Sequence, residues 1–150
     1  MSLMQSVSKF KQSRGIGFSR EAFYSPTHDV IIKVEWRGER EDIDFTDCRF
    51  QSESEIELFE MLREDEKDLF AIMGYFRKDD IPYIISEPCR TSEDMEYNER
   101  ESFKDRVFEE KHGKFAAIIE KYHIADLSYD NFGITRDGRL VIIDCGIWGG

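Results

Sequence analysis

The chain has 150 residues, of which 40% are hydrophobic and 13% aromatic, so it can bury a core and disorder is not its default state. Its 32 acidic and 21 basic residues leave a net charge of −11, and so acidic a surface argues against nucleic acid or anionic lipid as the main partner. Cys48, Cys89 and Cys145 form a scattered, odd-numbered set, no apolar run has the length of a membrane span, and the N-terminus lacks a signal-peptide core, so we expect reduced thiols, a cytoplasmic location and no membrane.

Residues 5–21 are polar, with Gly15 and Gly17 close together before a strand. Such a pair can let backbone N–H groups approach phosphate, or it can be a plain turn. Ser19 and Arg20 could add contacts to such a ligand. Ala22-Phe-Tyr24 and Val30-Ile-Ile-Lys-Val34 read as strands joined by the turn-rich Ser25-Pro-Thr-His-Asp29. Lys33 interrupts a β-branched run, on the opposite face from Ile32 and Val34. If it points inward it needs an anionic partner; if its strand is an edge, it can face water.

Residues 37–47 read as a solvated loop, and Ser52 to Leu62 as a helix whose pattern sorts its acids. Glu53, Glu57, Glu60 and Glu64 form one solvated face. Glu55 falls instead with Leu58, Phe59 and Leu62 on the apolar stripe, so it either faces the interior, with Lys33 as the obvious cation, or borders the stripe. Leu69–Phe76 and Ile81–Glu87 read as an antiparallel pair around a charged turn. Thr91–Arg100 is a loop or weak helix. Ser102–Tyr122 is helical, with Phe108, Phe115, Ile119 and Tyr122 at roughly helical spacing and Gly113 weakening its middle. His112 reads as a surface or packing residue.

The stretch His123–Gly146 is the most informative. Leu127–Asn131 reads as a loop, Phe132–Thr135 as a short strand, Asp137-Gly138 as a hairpin turn and Arg139–Ile143 as a buried strand ending at Asp144. Asn131 follows Asp126 by five residues, and Asp144 follows Asn131 by thirteen. The hairpin brings its two ends together, so Asp126, Asn131 and Asp144 can converge. Oxygen ligands of this kind suit a hard cation such as Mg²⁺.

The Asp126-Leu127-x3-Asn131 segment followed by Asp144-x-Gly146 resembles the catalytic loop and metal-binding D-x-G of the protein-kinase-like superfamily. Small bacterial and phage members are the nearer comparison, including relatives of aminoglycoside phosphotransferase and YrbL-type kinase-like proteins. The resemblance runs from Arg14 to Gly146. It implies an α+β fold: a small antiparallel sheet with one helix over residues 1–89, and a minimal helical C-lobe with the catalytic-loop hairpin over residues 90–150. It implies that Asp126 takes the proton of an attacking hydroxyl, and that Asn131 and Asp144 hold Mg²⁺. Lys33, paired with Glu55, would contact the α- and β-phosphates of ATP. Gly15 and Gly17 would stand for the glycine loop, whose third glycine is missing here. Glu87 and Cys89 would lie at the adenine-binding hinge, where Pro88 removes a donor. His123 stands three residues before Asp126, one more than in the family's H-R-D.

The implied activity is transfer of the γ-phosphoryl of ATP to a hydroxyl acceptor. The alternative is a catalytically weak or inactive kinase-like regulatory or binding module, a pseudokinase. The imperfect glycine loop and the sequence's end six residues after Asp144, at Trp148-Gly-Gly150, favour that alternative. So short a C-lobe is expected to use Ile147 and Trp148 to cover apolar surface, and it leaves room for a homo-oligomer.

Overall fold

The computed structural model describes residues 5–9, 19–36, 51–145 and 148–149. The mixed α+β chain divides into two compact units, one of Met1–Glu60 and Ile72–Glu87, the other of Met61–Ala71 and Pro88–Gly150. Residues 61–71 belong with the second unit. Among the described residues no helix is long and apolar enough to cross a membrane.

The first unit is a five-stranded antiparallel sheet with one helix. Its strands are β1 (Gln5–Lys9), β2 (Ser19–Ser25), β3 (Val30–Trp36), β4 (Ile72–Lys78) and β5 (Ile81–Ser86), in the order β1-β2-β3-β5-β4. Strand β1, within a segment whose sequence is simply polar, pairs antiparallel with β2 along the sheet edge, with a register shift between Ser6 and Ser8. The β2–β3 hairpin closes around Asp29, at φ +50°, whose Oδ1 accepts from the Tyr24 hydroxyl at 2.7 Å. Asp79 and Asp80 both have positive φ in the β4–β5 turn, as a two-residue hairpin turn of the primed type requires.

Helix α1 (Gln51–Met61) covers the sheet face that carries Arg20, Ala22, Lys33, Glu35, Ile84 and Tyr75. It is fastened there by Arg77–Glu53 at 2.9 Å and by the edge-to-face rings of Phe59 and Tyr75, with centroids 6.5 Å apart. Glu57 and Glu60 are exposed and Glu55 buried, as the helical pattern predicts.

The second unit contains α2 (Glu64–Lys67), β6 (Cys89–Arg90), α3 (Tyr97–Lys111), α4 (Ala116–Tyr122), β7 (Phe132–Thr135) and β8 (Leu140–Ile142). Its three strands are antiparallel in the order β6-β7-β8. The expected strand Leu69–Phe76 starts late, at Ile72, because Leu69–Ala71 is drawn to the end of β8 instead. Ile142 N–H donates to the Leu69 carbonyl and Ala71 N–H to the Ile142 carbonyl, both at 2.9 Å.

The single helical region expected over Ser102–Tyr122 is two helices broken at residues 112–115, which include Gly113. The core holds Phe103, Val107, Phe115, Ile118, Phe132, Leu140, Val141 and Ile142. Phe115 and Phe132 meet edge to face at 5.1 Å. Phe108, expected on the apolar stripe, is 67% exposed. The buried face of α3 runs through Phe103 and Val107, and residue 108 is turned away from it.

Candidate functional site

In the first unit, Lys33 stands on β3 opposite Ala22 of β2 and Ile84 of β5, and it is only 4% exposed. Pleating puts Glu35 on the same face two residues on, and Arg20 directly across from Glu35. Glu55 comes down onto this face from α1. The Arg20 guanidinium grips it, Nη1 to Oε1 at 2.6 Å and Nη2 to Oε2 at 3.5 Å, and Nη1 also reaches Ser52 Oγ at 3.4 Å. Two cations and two carboxylates are thus buried together, where charges persist only when paired and hydrogen-bonded. Arg20, read from sequence as an extra ligand contact, is an internal partner of Glu55.

Glu35 went unnoticed in the sequence, although the Lys33-Val34-Glu35 alternation puts it beside Lys33. Its Oε1 accepts from the Ser52 N–H at 2.7 Å, while Oε2 is buried without a hydrogen bond among the described residues. Burial pushes its carboxyl above the usual range, with Glu55 adding to the rise and Arg20 and the Ser52 hydrogen bonds opposing it.

In the second unit, α4 ends at His123 with φ +52°, the left-handed turn that commonly stops a helix. Asp126, three residues on, also has a positive φ, +55°, and is exposed. It lies between Ile124 and Leu127, both buried. The Leu127 carbonyl accepts from Lys111 Nζ at 2.5 Å, which ties the loop to the end of α3. A left-handed aspartate is held against a local conformational cost of about 1 kcal/mol or more, and surroundings this firm can hold it.

A turn of 3-10 helix over Tyr129–Asn131 leads into β7. Asn131 Oδ1 accepts from Ser128 N–H at 2.9 Å and Ser128 Oγ at 3.2 Å, and so caps that turn. Ser92 Oγ donates to Asp130 Oδ1 at 2.7 Å. Strands β7 and β8 pair Phe132 with Ile142, and the Ile143 N–H donates to the Asn131 carbonyl at 2.8 Å. Asn131 and Asp144 therefore stand at the same end of the hairpin, Asp144 half-buried one residue past that hydrogen bond.

The remaining expected positions are spread over both units. Glu87 ends the first unit and is half-buried; Cys89 begins β6 in the second, in register with Thr135. Gly15 and Gly17 lie outside the described residues, as do Cys48, Gly146 and Ile147. The backbone at Trp148–Gly149 returns to α4, with Gly149 N–H donating to the Tyr122 carbonyl at 2.9 Å.

The two residues at the hairpin end carry one carboxylate and one amide, both of which can offer oxygen ligands. Among the described residues no group of three or more His, Cys, Asp and Glu side chains is arranged to hold a metal ion. Mg²⁺ commonly takes only one or two protein ligands and completes its shell with phosphate and water, so Asn131 and Asp144 are of the right kind and number for it. Asn131 Oδ1 could serve only by giving up at least one of its bonds to Ser128. No protein-family model matches the sequence, and no curated protein matches it.

Proposed function

We propose that the chain is a compact ATP- and Mg²⁺-dependent phosphotransferase of kinase-like fold, moving the γ-phosphoryl group to a hydroxyl acceptor. The observation that carries this reading is the hydrogen bond from Ile143 N–H to the Asn131 carbonyl at 2.8 Å. It fixes Asn131 and Asp144 at one hairpin end, five residues beyond a strained, exposed Asp126. The buried Lys33 on an antiparallel sheet, with a glutamate arriving from the helix above it, supports the same reading from the first unit.

In this reading Asp126 takes the hydroxyl proton on a carboxylate oxygen and orients the acceptor for in-line attack. Lys33 neutralises charge on the nucleotide phosphates, and Glu55 positions Lys33. Asn131 and Asp144 hold Mg²⁺, which supplies charge neutralisation on the phosphate oxygens. Catalysis of this kind is mostly positioning and electrostatics.

A second reading, a nucleotide-binding or regulatory module without transfer, is favoured by two contacts. Glu55 is gripped by Arg20, and Asn131 Oδ1 is engaged by Ser128. A melting experiment with ATP and Mg²⁺ tests both readings. Nucleotide at about 100 times its Kd adds about 2.7 kcal/mol of stability, which is read as a rise in Tm. No rise at saturating nucleotide overturns the transfer reading and any nucleotide-binding role. A rise with ATP turnover that Asp126→Asn abolishes supports transfer, whereas a rise without turnover supports the binding module.

A further inference from the structure

Helix α3 carries a stripe that the proposed chemistry does not use. Tyr97, Glu101, Lys104 and Phe108 follow one another at spacings of four, three and four residues, which keeps them on one face of an α-helix. The buried residues of α3, Phe103 and Val107, lie to one side of that stripe. Tyr97 is 70% exposed and Phe108 67%, more than any other large hydrophobic side chain among the described residues. Between them, Lys104 Nζ meets Glu101 Oε2 at 3.1 Å, with both side chains substantially exposed. The Phe108 ring packs on His112 one turn on, centroid to centroid 4.7 Å, which leaves most of it in water.

The order aromatic, acid, base, aromatic has a symmetry of its own. Reversed about the midpoint between Ser102 and Phe103, Tyr97 falls on Phe108 and Glu101 on Lys104. A second α3 laid antiparallel across a two-fold axis therefore sets Tyr97 against Phe108 of the partner subunit, and Glu101 against Lys104 of the partner subunit. The four-three-four spacing is that of a helix–helix seam. Parallel pairing in register would put Glu101 beside its own copy and Lys104 beside its own copy, so charge selects the antiparallel arrangement.

We propose that this face of α3 is a homotypic interface, in which two copies of the chain pair antiparallel through Tyr97, Glu101, Lys104 and Phe108. Self-complementarity of one patch is what a closed two-fold dimer requires. Two helices of 15 residues bury less than the roughly 1,200 Å² of a standard interface, and each copy carries a charge of −11, so the dimer is weak and reversible. The proposal is independent of the phosphotransfer reading.

Sedimentation equilibrium of the full chain from micromolar to millimolar concentration is the test, with circular dichroism to show that each variant keeps the wild-type fold. The wild type is expected to associate reversibly into dimers. Glu101→Lys alone and Lys104→Glu alone each set like charges face to face, and each should associate at least tenfold more weakly. An equimolar mixture of those two variants pairs Lys with Glu again and should dimerise as wild type does, as should the Glu101→Lys/Lys104→Glu double variant. Phe108→Asp should be monomeric throughout. A wild type monomeric over the whole range overturns the proposal. So does a mixture no tighter than its components, or a Phe108→Asp variant that associates like wild type.

Discussion

Arg20 Nη1 lies 2.6 Å from Glu55 Oε1, and both side chains are almost wholly excluded from water, at 1% and 6% exposure. This pair ties strand β2 to helix α1 across the buried face that also holds Lys33 and Glu35. A buried ion pair contributes little net stability over an apolar pair of similar volume, because desolving two charges offsets their attraction, but removing one partner leaves the other charge uncompensated. Glu55→Leu should therefore destabilise the first unit by about 3–5 kcal/mol, whereas the double variant Arg20→Leu/Glu55→Leu should cost far less. Urea denaturation of the two variants checks this. Equal losses would mean that Arg20 is neutralised by another partner and that the pair does not act as a unit.

Glu35 gives the opposite sign. Its folded carboxyl is raised above its unfolded value by burial, so the folded state holds on to the proton longer than the unfolded chain does. Stability from this group is present below the unfolded pKa and falls as pH rises through the folded one. Glu35→Gln keeps an oxygen to accept from Ser52 N–H and removes the charge. The variant is expected to be at least as stable as wild type near neutral pH, with the difference closing in acid. Denaturation midpoints at two pH values decide it, and a Gln variant clearly weaker at neutral pH would show that the charge on Glu35 is needed to balance Arg20 and Lys33.

Elements set by local chemistry were legible in the sequence. Asp137-Gly138 and the apolar run after it announced the β7–β8 hairpin, and alternation placed Lys33 on the face away from Ile32 and Val34. What depends on distant pairing was not. Leu69–Ala71 is apolar and β-compatible, and nothing nearby says that its backbone will choose Ile142 over the sheet of the first unit. Arg20 borders a glycine-containing stretch and invites a ligand-binding reading, while its true partner, Glu55, is 35 residues away. Phe108 looks like core by hydrophobicity alone, and only the positions of Phe103 and Val107 show which side of α3 is inward.

The second unit has its own buried acid. Glu66 is 8% exposed and accepts from Arg63 N–H at 2.8 Å, Lys121 Nζ at 2.8 Å and the Tyr122 hydroxyl at 2.6 Å. The backbone bond from Arg63, then Lys121 and Tyr122, hold its pKa down to about 2. Its folded pKa lies below the unfolded value of 4.5, so the stabilisation is complete above that value and is lost as pH falls toward 2. Glu66→Gln should cost of order 2 kcal/mol at neutral pH, allowing for screening by solvent around the exposed Lys121. It should also flatten the acid limb of the stability profile between those two pH values. An acid limb as steep in the variant as in wild type would assign acid unfolding to other carboxylates.

Gly133 offers a test of how tightly the hairpin end is held. A Cβ on it would stand 2.8 Å from Cys89 Cβ, 3.1 Å from Ile143 Cγ2 and 3.3 Å from the Arg90 carbonyl oxygen. Two of the three are a backbone oxygen and the first carbon of a side chain, neither of which can rotate away, so β6 or β7 must shift. Overpacking of this kind costs about 1–3 kcal/mol. Gly138 is a contrast within the same hairpin: a Cβ there meets no neighbour, and the cost of Gly138→Ala comes from its φ of +90° alone. Both substitutions should lower the Tm, but only Gly133→Ala should be partly rescued by Cys89→Gly, which removes the closest clash. Gly133 is two residues from Asn131 and faces Ile143, the residue before Asp144. If these residues hold Mg²⁺ and nucleotide, Gly133→Ala should also reduce the stabilisation by ATP and Mg²⁺ more than Gly138→Ala does at equal loss of Tm. Equal nucleotide responses from the two variants would separate the packing of the hairpin from any role in binding.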